Sequence, residues 1–194
     1  MMHVKRPVVA GMFYPGTAHE LSATLDELMQ TASVTSKERP YALIAPHAGY
    51  QYSGQVAASA YATLEPWADQ IRRVVVLAPS HRLGFRGIAT SSADVFQTPL
   101  GDIPVDCAAV KQLSTMSGVL RLDEAFAQEH ALEVQLPFLQ TVLAEFELVP
   151  LIVGEADSED VSRVIDNLWS PGTLFVVSSD LSHFLEYSTC QRRD

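Results

Sequence analysis

Four short runs of apolar, mostly β-branched residues punctuate the chain. They lie at Tyr41–Ala45, Arg73–Ala78, Leu148–Val153 and Thr173–Ser178. Unbroken runs of this kind are typical of strands that are covered on both faces. Because such strands occur mostly in parallel sheets, the pattern predicts a mainly parallel or mixed central sheet.

Apolar residues between these runs recur at helical spacing and form three stripes. The stripes are Val56, Ala57, Ala60, Tyr61 and Leu64; Leu132, Leu136, Leu139 and Leu143; and Val161, Val164, Ile165 and Leu168. Each stripe predicts one buried helix face. Pro137 interrupts the second stripe, so it predicts either a kink or the first turn of that helix. Asp157 is the expected N-cap of the third helix.

Alternation of strands and helices predicts an α/β three-layer sandwich, with the central sheet flanked by helices. The length of 194 residues fits one domain, spanning residues 1–194. In such sheets ligands bind beyond the carboxyl ends of the strands. Functional side chains are therefore expected in the loops that follow the strands.

The net charge indicates which partners are excluded, and the cysteine content indicates the expected cellular location. The formal net charge is -10, so the chain repels phosphate backbones and anionic lipids, and we expect neither nucleic acid nor membrane partners. Only Cys107 and Cys190 are present, outside any C-x-x-C spacing. This usage predicts a reducing, cytoplasmic location without a disulfide framework. No apolar run approaches the ~20 residues that a membrane helix needs.

Histidine follows three of the four predicted strands. His47 follows the first strand, His81 the second, and His183 together with Asp180 the fourth. If these strands are parallel neighbours, the four side chains lie on one rim of the sheet. Imidazole and carboxylate groups are ligands of zinc, copper and non-haem iron. The alternative is that each residue only caps a turn.

A fourth histidine lies in the segment Glu129-His130-Ala131-Leu132-Glu133. On a helix His130 and Glu133 would share a face and could form an acid–base pair or support a metal ligand from outside. Alternatively, both lie on a solvated helix face. The motifs of serine hydrolases, zincins, P-loop proteins and dinucleotide-binding proteins are absent.

Five blocks of sequence resemble, in order, the signature of the Memo family, called AmmeMemoRadiSam system protein B in microbes. The blocks are RPVVAGMFYP at 6–15, APHAGY at 45–50, PSH at 79–81, EHALE at 129–133 and SSDLSH at 178–183. They span nearly the whole chain. Together, the five blocks resemble the microbial branch of the family more than the animal branch.

This resemblance implies a fold like that of the class III extradiol ring-cleaving dioxygenases, which hold non-haem iron(II). By motif matching, His47 and His81 correspond to the two histidine metal ligands of the family, and His183 and Asp180 to further site residues. Members of the family are linked to iron or copper binding and to redox chemistry. The resemblance does not identify a substrate.

The resemblance also implies a cysteine metal ligand in a segment further toward the C-terminus. The chain reaches Asp194 shortly after the SSDLSH block, and Cys190 lies outside the family's cysteine motif. We therefore expect the domain to lack the C-terminal part of the family fold, including one metal ligand.

The leading hypothesis is a metal-binding, redox-active protein related to dioxygenases, in which His47 and His81 ligate iron or copper. His183 would be a base or additional ligand, oriented by Asp180. In an extradiol-type reaction the metal binds substrate and dioxygen while a histidine moves protons. Zinc is a further candidate, and with it a metal-dependent hydrolase.

In this hypothesis His130 and Glu133 line a strand-end cleft that takes a small molecule or a peptide. The competing hypothesis is a binding module without catalysis, which uses the same cleft to hold a peptide or a partner enzyme. The microbial family name associates the family with a radical-SAM protein and an AMMECR-type protein, so these are the expected partners. One fold hosts many functions, so the fold does not separate the two hypotheses.

Overall fold

The computed structural model describes residues 2–34 and 38–194. The strands in this part of the chain are β1 (Val4–Lys5), β2 (Ala42–Ala45), β3 (Arg73–Pro79), β4 (Ile88–Thr90), β5 (Val95–Thr98), β6 (Gly101–Pro104), β7 (Val119–Arg121), β8 (Glu147–Val153) and β9 (Thr173–Ser178). The α-helices are α1 (Ala18–Gln30), α2 (Tyr50–Tyr61), α3 (Cys107–Leu113), α4 (Leu136–Val142), α5 (Ser158–Leu168) and α6 (Tyr187–Arg193). Single or extended 3-10 turns occupy Ala62–Gln70, Asp123–Phe126 and Glu133–Gln135.

Six strands form the central sheet in the order β2-β9-β3-β8-β4-β7. The first four run parallel to one another, β4 is antiparallel to β8, and β7 is parallel to β4. Helices α1, α2 and α4 pack against one another, and α2 lies against β2, whereas α3 packs on α5 and β8. The predicted three-layer α/β sandwich with a mixed sheet is therefore confirmed.

A second sheet of three strands, in the order β1-β5-β6, was not predicted from the sequence. Its strands are only two to four residues long, which leaves little periodicity to detect. The pairing of β1 with β5 joins Val4 to Val95 and attaches the N-terminal segment to the middle of the chain.

The core of the central sheet is formed by strands that are buried on both faces, as the sequence predicts. Val74, Val75 and Val76 of β3 are fully buried, and each such side chain contributes roughly 1.5–3 kcal/mol through burial. Strand β2 is different, because it lies at the edge of the sheet and Ile44 is 63% exposed. The expectation that this strand is covered on both faces is wrong.

The predicted helices form with adjusted boundaries. Helix α4 begins at Leu136, so Pro137 lies in its first turn rather than at a kink. Val56 in α2 is 65% exposed and does not belong to the buried face of that helix. The segment from Glu129 to Leu132 precedes a 3-10 turn and is not helical.

None of the helices in the described ranges combines the length and apolarity that crossing a membrane requires.

Candidate metal centre

The candidate site lies where three neighbouring parallel strands end. In the central sheet β9 is flanked by β2 and β3, and all three run in the same direction. His47 follows β2, His81 follows β3, and β9 ends between them at Ser178. The topology therefore carries the two histidines to the same edge of the sheet.

Three histidines meet at this edge: His47, His81 and His130. One ring nitrogen from each can be chosen so that all three atoms lie within 4.8 Å of one another. The ring centroids are 5.1 Å apart for His47 and His81, and 4.8 Å apart for His81 and His130. Since metal–imidazole bonds are about 2.0–2.1 Å long, small ring rotations would allow one ion to contact all three nitrogens.

The His47 ring is positioned by a hydrogen bond to Ser178 at the end of β9, and Ser178 in turn bonds to residues just before α4. Its Nδ1 lies 2.9 Å from the Ser178 hydroxyl oxygen. That hydroxyl donates to the backbone oxygen of Ala131 at 2.6 Å and accepts from the Gln135 side chain at 2.8 Å. His47 is only 5% exposed, so these contacts replace hydration of its ring.

His81 is held by the buried carboxylate of Glu129. Glu129 Oε1 lies 2.9 Å from His81 Nδ1, and Oε2 accepts from the His81 backbone N–H at 2.6 Å. Burial by itself raises the pKa of Glu129, but the hydrogen bonds from His81 and from the backbone N–H of Ala131 outweigh it and hold the pKa below its usual value. The carboxylate is therefore ionised at neutral pH.

His130 packs between two rings and closes the cluster. Its ring stacks on His81 at an interplanar angle of 23° and contacts Phe13 with centroids 4.7 Å apart. Its Nδ1 is buried without a hydrogen-bond partner among the described residues, and the nearest carboxylate oxygen, Glu129 Oε1, is 3.4 Å away. This unpaired nitrogen leaves the ring available for another partner.

The electrostatics at two members of the cluster, His47 and His130, favour neutral imidazoles. Burial lowers the pKa of His47, against the opposing effect of Asp180, and burial also lowers the pKa of His130. Metal ions bind the neutral form of histidine. Neutral rings together with an unpaired buried nitrogen form a donor set that fits a divalent transition-metal ion.

Asp180 lies at the margin of the cluster and contacts His47. Its Oδ1 accepts from the His47 backbone N–H at 2.5 Å, and its Oδ2 is 3.8 Å from His47 Nε2. The sequence instead predicts that Asp180 orients His183. In the structure His183 is exposed, and its Nδ1 lies 2.8 Å from the backbone oxygen of Leu181.

The backbone explains why His183 lies apart from the three other histidines. Leu181, directly after Asp180 and Ser179, has a left-handed φ of 58°, and Phe184 has a φ of 57°. The chain thus changes direction between Asp180 and His183 and enters an exposed segment. A catalytic role for His183 remains a prediction.

Glu133 forms its hydrogen bonds with the N-terminal segment rather than with His130, and anchors that segment. Its carboxylate accepts hydrogen bonds from the backbone N–H groups of Val8 and Val9, at 2.7 and 3.0 Å, and from the Tyr14 hydroxyl at 2.7 Å. The acid–base pair expected from a shared helix face does not form, because the segment between the two residues is not helical. Any direct role of Glu133 in chemistry also remains a prediction.

Three residues that contact the site were not predicted from the sequence to act in it: Glu129, Ser178 and Gln135. Each carries a detectable signal. Glu129 is an acid beside a histidine, Ser178 ends a strand between two histidine-bearing strands, and Gln135 is a polar residue within an apolar helical stripe. Buried polar residues in such positions need partners, which makes them candidates for network members.

Comparisons with known proteins identify the family to which the chain is similar. A sequence profile of a family described as "Memo-like protein" matches residues 5–194. A MEMO1 family protein of Nitrosopumilus maritimus (strain SCM1) is 34% identical over 202 residues, which cover 98% of this chain and 73% of the relative. One of Aquifex aeolicus (strain VF5) is 34% identical over 199 residues, covering 100% and 72%. Protein MEMO1 of Xenopus laevis is 35% identical over 184 residues, covering 90% and 61%.

Proposed function

Because the chain belongs to the Memo family, whose fold is dioxygenase-like, we propose that its strand-end cluster binds one redox-active metal ion, iron or copper. The observation that carries the proposal is the convergence of one ring nitrogen each from His47, His81 and His130 within 4.8 Å. The low pKa values of His47 and His130, caused by burial, support metal ligation because they keep these rings neutral.

The position of Asp180 favours a mixed donor set. Its carboxylate lies 3.8 Å from His47 Nε2, so a small movement would add an oxygen ligand to the imidazoles. Imidazole and carboxylate together are the donor combination of non-haem iron(II) sites, whereas imidazoles alone also suit copper and zinc. Iron is thus the first metal to test, followed by copper and then zinc, which would support hydrolysis instead.

When bound, such an ion would supply Lewis-acid and one-electron chemistry to a small molecule or peptide at the strand ends. The residues of the chain would do the rest. His47, His81 and His130 bind through ring nitrogens, and Asp180, which is partly exposed, can accept a proton from a ligand. His183 would act as a base only if its exposed segment closed over the strand ends.

Metal content is the direct test of this function. The protein is purified without oxygen, and iron, copper and zinc are quantified by elemental mass spectrometry in the parent, in a His47→Ala/His81→Ala variant and in His19→Ala. His19 is an exposed histidine of α1 and serves as the matched control. We expect near-stoichiometric iron or copper in the parent and in His19→Ala, and loss of it in the double variant. A folded parent that cannot be loaded with either metal would refute the redox function.

A second candidate function is a non-catalytic binding module. The observation that favours it is a group of exposed apolar side chains directly after β9: Leu181 is 56%, Phe184 100% and Tyr187 76% exposed. Exposed apolar patches are typical of protein-binding surfaces. The proposed partners are the radical-SAM and AMMECR-type proteins, acting with this chain in a reducing cytoplasm.

The two functions differ in their dependence on the histidines. We would titrate purified radical-SAM and AMMECR-type proteins from the same genome into the parent and into the His47→Ala/His81→Ala variant by calorimetry. The binding-module function predicts equal affinities for both. Partner binding that requires the histidines, or no binding at all, would contradict it.

A further inference from the structure

We propose that Ser178 and Glu129 are positioning residues that hold His47 and His81 in the same tautomer, with Nδ1 protonated and Nε2 left free as the ligand atom. The tautomer assignment stands on the hydrogen-bond network alone. Its consequence for metal affinity rests on the proposed function of the site.

The network begins at Gln135, which is fully buried. Its Nε2 lies 2.9 Å from the backbone oxygen of Pro46, and its Oε1 accepts from the Tyr61 hydroxyl at 2.7 Å. A carbonyl oxygen can only accept, so the amide group must turn its NH₂ toward Pro46. The same NH₂ group then donates its second proton to Ser178.

This orientation determines the role of the Ser178 hydroxyl. Its oxygen is 2.6 Å from the backbone oxygen of Ala131, 2.8 Å from Gln135 Nε2 and 2.9 Å from His47 Nδ1. A hydroxyl has one proton, and Ala131 can only accept, so that proton points to Ala131. The remaining lone pair can only accept, and His47 Nδ1 must therefore carry the proton. Its Nε2 then carries the free lone pair.

His81 reaches the same tautomer by a different route. Both oxygens of the Glu129 carboxylate accept from backbone N–H groups, Oε1 from His130 and Ala131 and Oε2 from His81. Oε1 therefore acts as an acceptor, and the 2.9 Å contact requires a proton on His81 Nδ1. A carboxylate behind an imidazole also raises its strength as a ligand. His47 is thus held by a neutral acceptor and His81 by an anionic one.

Tautomers are directly observable by NMR of the metal-free protein, which requires no activity. Nitrogen-15-labelled histidine gives ring correlations that distinguish a proton on Nδ1 from one on Nε2, measured at a pH where both rings are neutral. We expect the Nδ1–H pattern for His47 and His81 in the parent. A parent in which either ring carries its proton on Nε2 would overturn the proposal.

Three variants separate positioning from folding. Ser178→Ala removes the acceptor, so His47 should shift toward the Nε2–H pattern while His81 is unchanged. Ser178→Thr retains the hydroxyl and should restore the parent pattern. Ser182→Ala, which changes a partly exposed serine of the next segment, is the matched control. An unchanged His47 pattern in folded Ser178→Ala would overturn the role of Ser178.

Glu129→Gln tests the anionic route. The amide can keep its oxygen at the Oε1 position, where His81 Nδ1 and the backbone N–H groups of His130 and Ala131 donate, and lose only the bond at Oε2. The Nδ1–H pattern of His81 should therefore persist. A change of this tautomer in folded Glu129→Gln would overturn the role assigned to the Glu129 oxygen.

Optical titration with cobalt(II) then measures the consequence for metal binding. We expect affinities lower by about 10–100-fold in Ser178→Ala and about 10-fold in Glu129→Gln. If the parent shows both Nδ1–H tautomers but binds no cobalt, the tautomer assignment stands and the metal-binding function fails. If the parent binds cobalt but its metal-free form shows Nε2–H rings, the function stands and the positioning proposal fails.

Discussion

Two regions at the same edge of the sheet have opposite characters. In the strand-end cluster, His47 and the side chains that hold the histidines are buried, with Glu129 only 3% exposed, whereas His130 is half-buried and His81 is exposed. The C-terminal segment, residues 181–194, is largely exposed, and its helix α6 has no buried residue. Both regions contain a histidine that follows a strand. The difference shows that a position after a strand does not by itself create a site.

Long-range partners account for the difference. His47 bonds to Ser178, which is 131 residues away in sequence, and His81 bonds to Glu129, 48 residues away. His183 bonds to Leu181, only two residues away. Contacts between distant segments depend on the whole fold, whereas local contacts form without it. We therefore expect the cluster to be preorganised and the C-terminal segment to be conformationally free.

The largest contrast should appear in stability. Phe138 is 1% exposed and stacks on Tyr61, whereas Phe184 is fully exposed. Phe138→Ala should lower the free energy of unfolding by about 3–5 kcal/mol, and Phe184→Ala by less than about 0.5 kcal/mol. Urea unfolding followed by circular dichroism measures both. Similar losses in the two variants would mean that the C-terminal segment is packed in solution.

The variant Glu133→Ala tests whether Glu133 stabilises the fold without taking part in metal binding. Glu133→Ala removes the acceptor of three hydrogen bonds, so it should lower the free energy of unfolding by about 3 kcal/mol. Metal content of the folded variant should match the parent. If Glu133→Ala keeps parental stability but loses its metal, Glu133 acts in the site itself, as the sequence motif suggests.

Substitution of His130, in the cluster, should lower the metal affinity far more than substitution of His183, in the C-terminal segment. His130→Ala removes a member of the cluster and should weaken cobalt(II) binding by more than about 100-fold, beyond the loss of about 10–100-fold expected when a residue that supports a ligand is removed. His183→Ala should change the affinity by less than about twofold, because distant sites are independent. Equal effects would show that the C-terminal segment joins the site when metal binds.

The smallest expected effect is a pH dependence of stability caused by Asp123, a carboxylate outside the cluster. Burial raises the pKa of Asp123, but hydrogen bonds from Ser92 and Ser91 outweigh this effect and hold the pKa below the usual value of an aspartate. A depressed pKa stabilises the fold above the pKa of the unfolded state, and the contribution disappears as pH falls through the folded-state pKa. The gap in unfolding free energy between the parent and Asp123→Asn should therefore shrink between about pH 6 and about pH 3. A gap that grows on acidification would contradict the assignment.

The fold class could be predicted from the sequence, whereas a shared rim for the histidines followed only on the condition that their strands are neighbours. Buried parallel strands such as β3 leave unbroken apolar runs, and the histidines after β2 and β3 indicated a shared rim. The exposed face of β2 could not be predicted, because Ile44 has the same local pattern as a buried strand residue. Exposure there depends on what covers the sheet, which is a property of tertiary packing.

The members of the cluster were predicted only in part. His47 and His81 follow strands, but His130 enters through a non-helical segment whose position depends on the anchoring of Glu133 and Glu129. His183 shares the local signal of His47 and lies elsewhere. Spacing identifies residues capable of ligation, whereas the hydrogen bonds from distant segments determine which of them converge.

The central claim is that one metal ion binds between His47, His81 and His130. Anomalous diffraction from crystals grown anaerobically with iron(II), recorded on both sides of the iron edge, locates such an ion directly. We expect one strong peak about 2.0–2.3 Å from a ring nitrogen of each histidine. A peak at another position, or none in crystals of protein that solution measurements show to be loaded with iron, would contradict it.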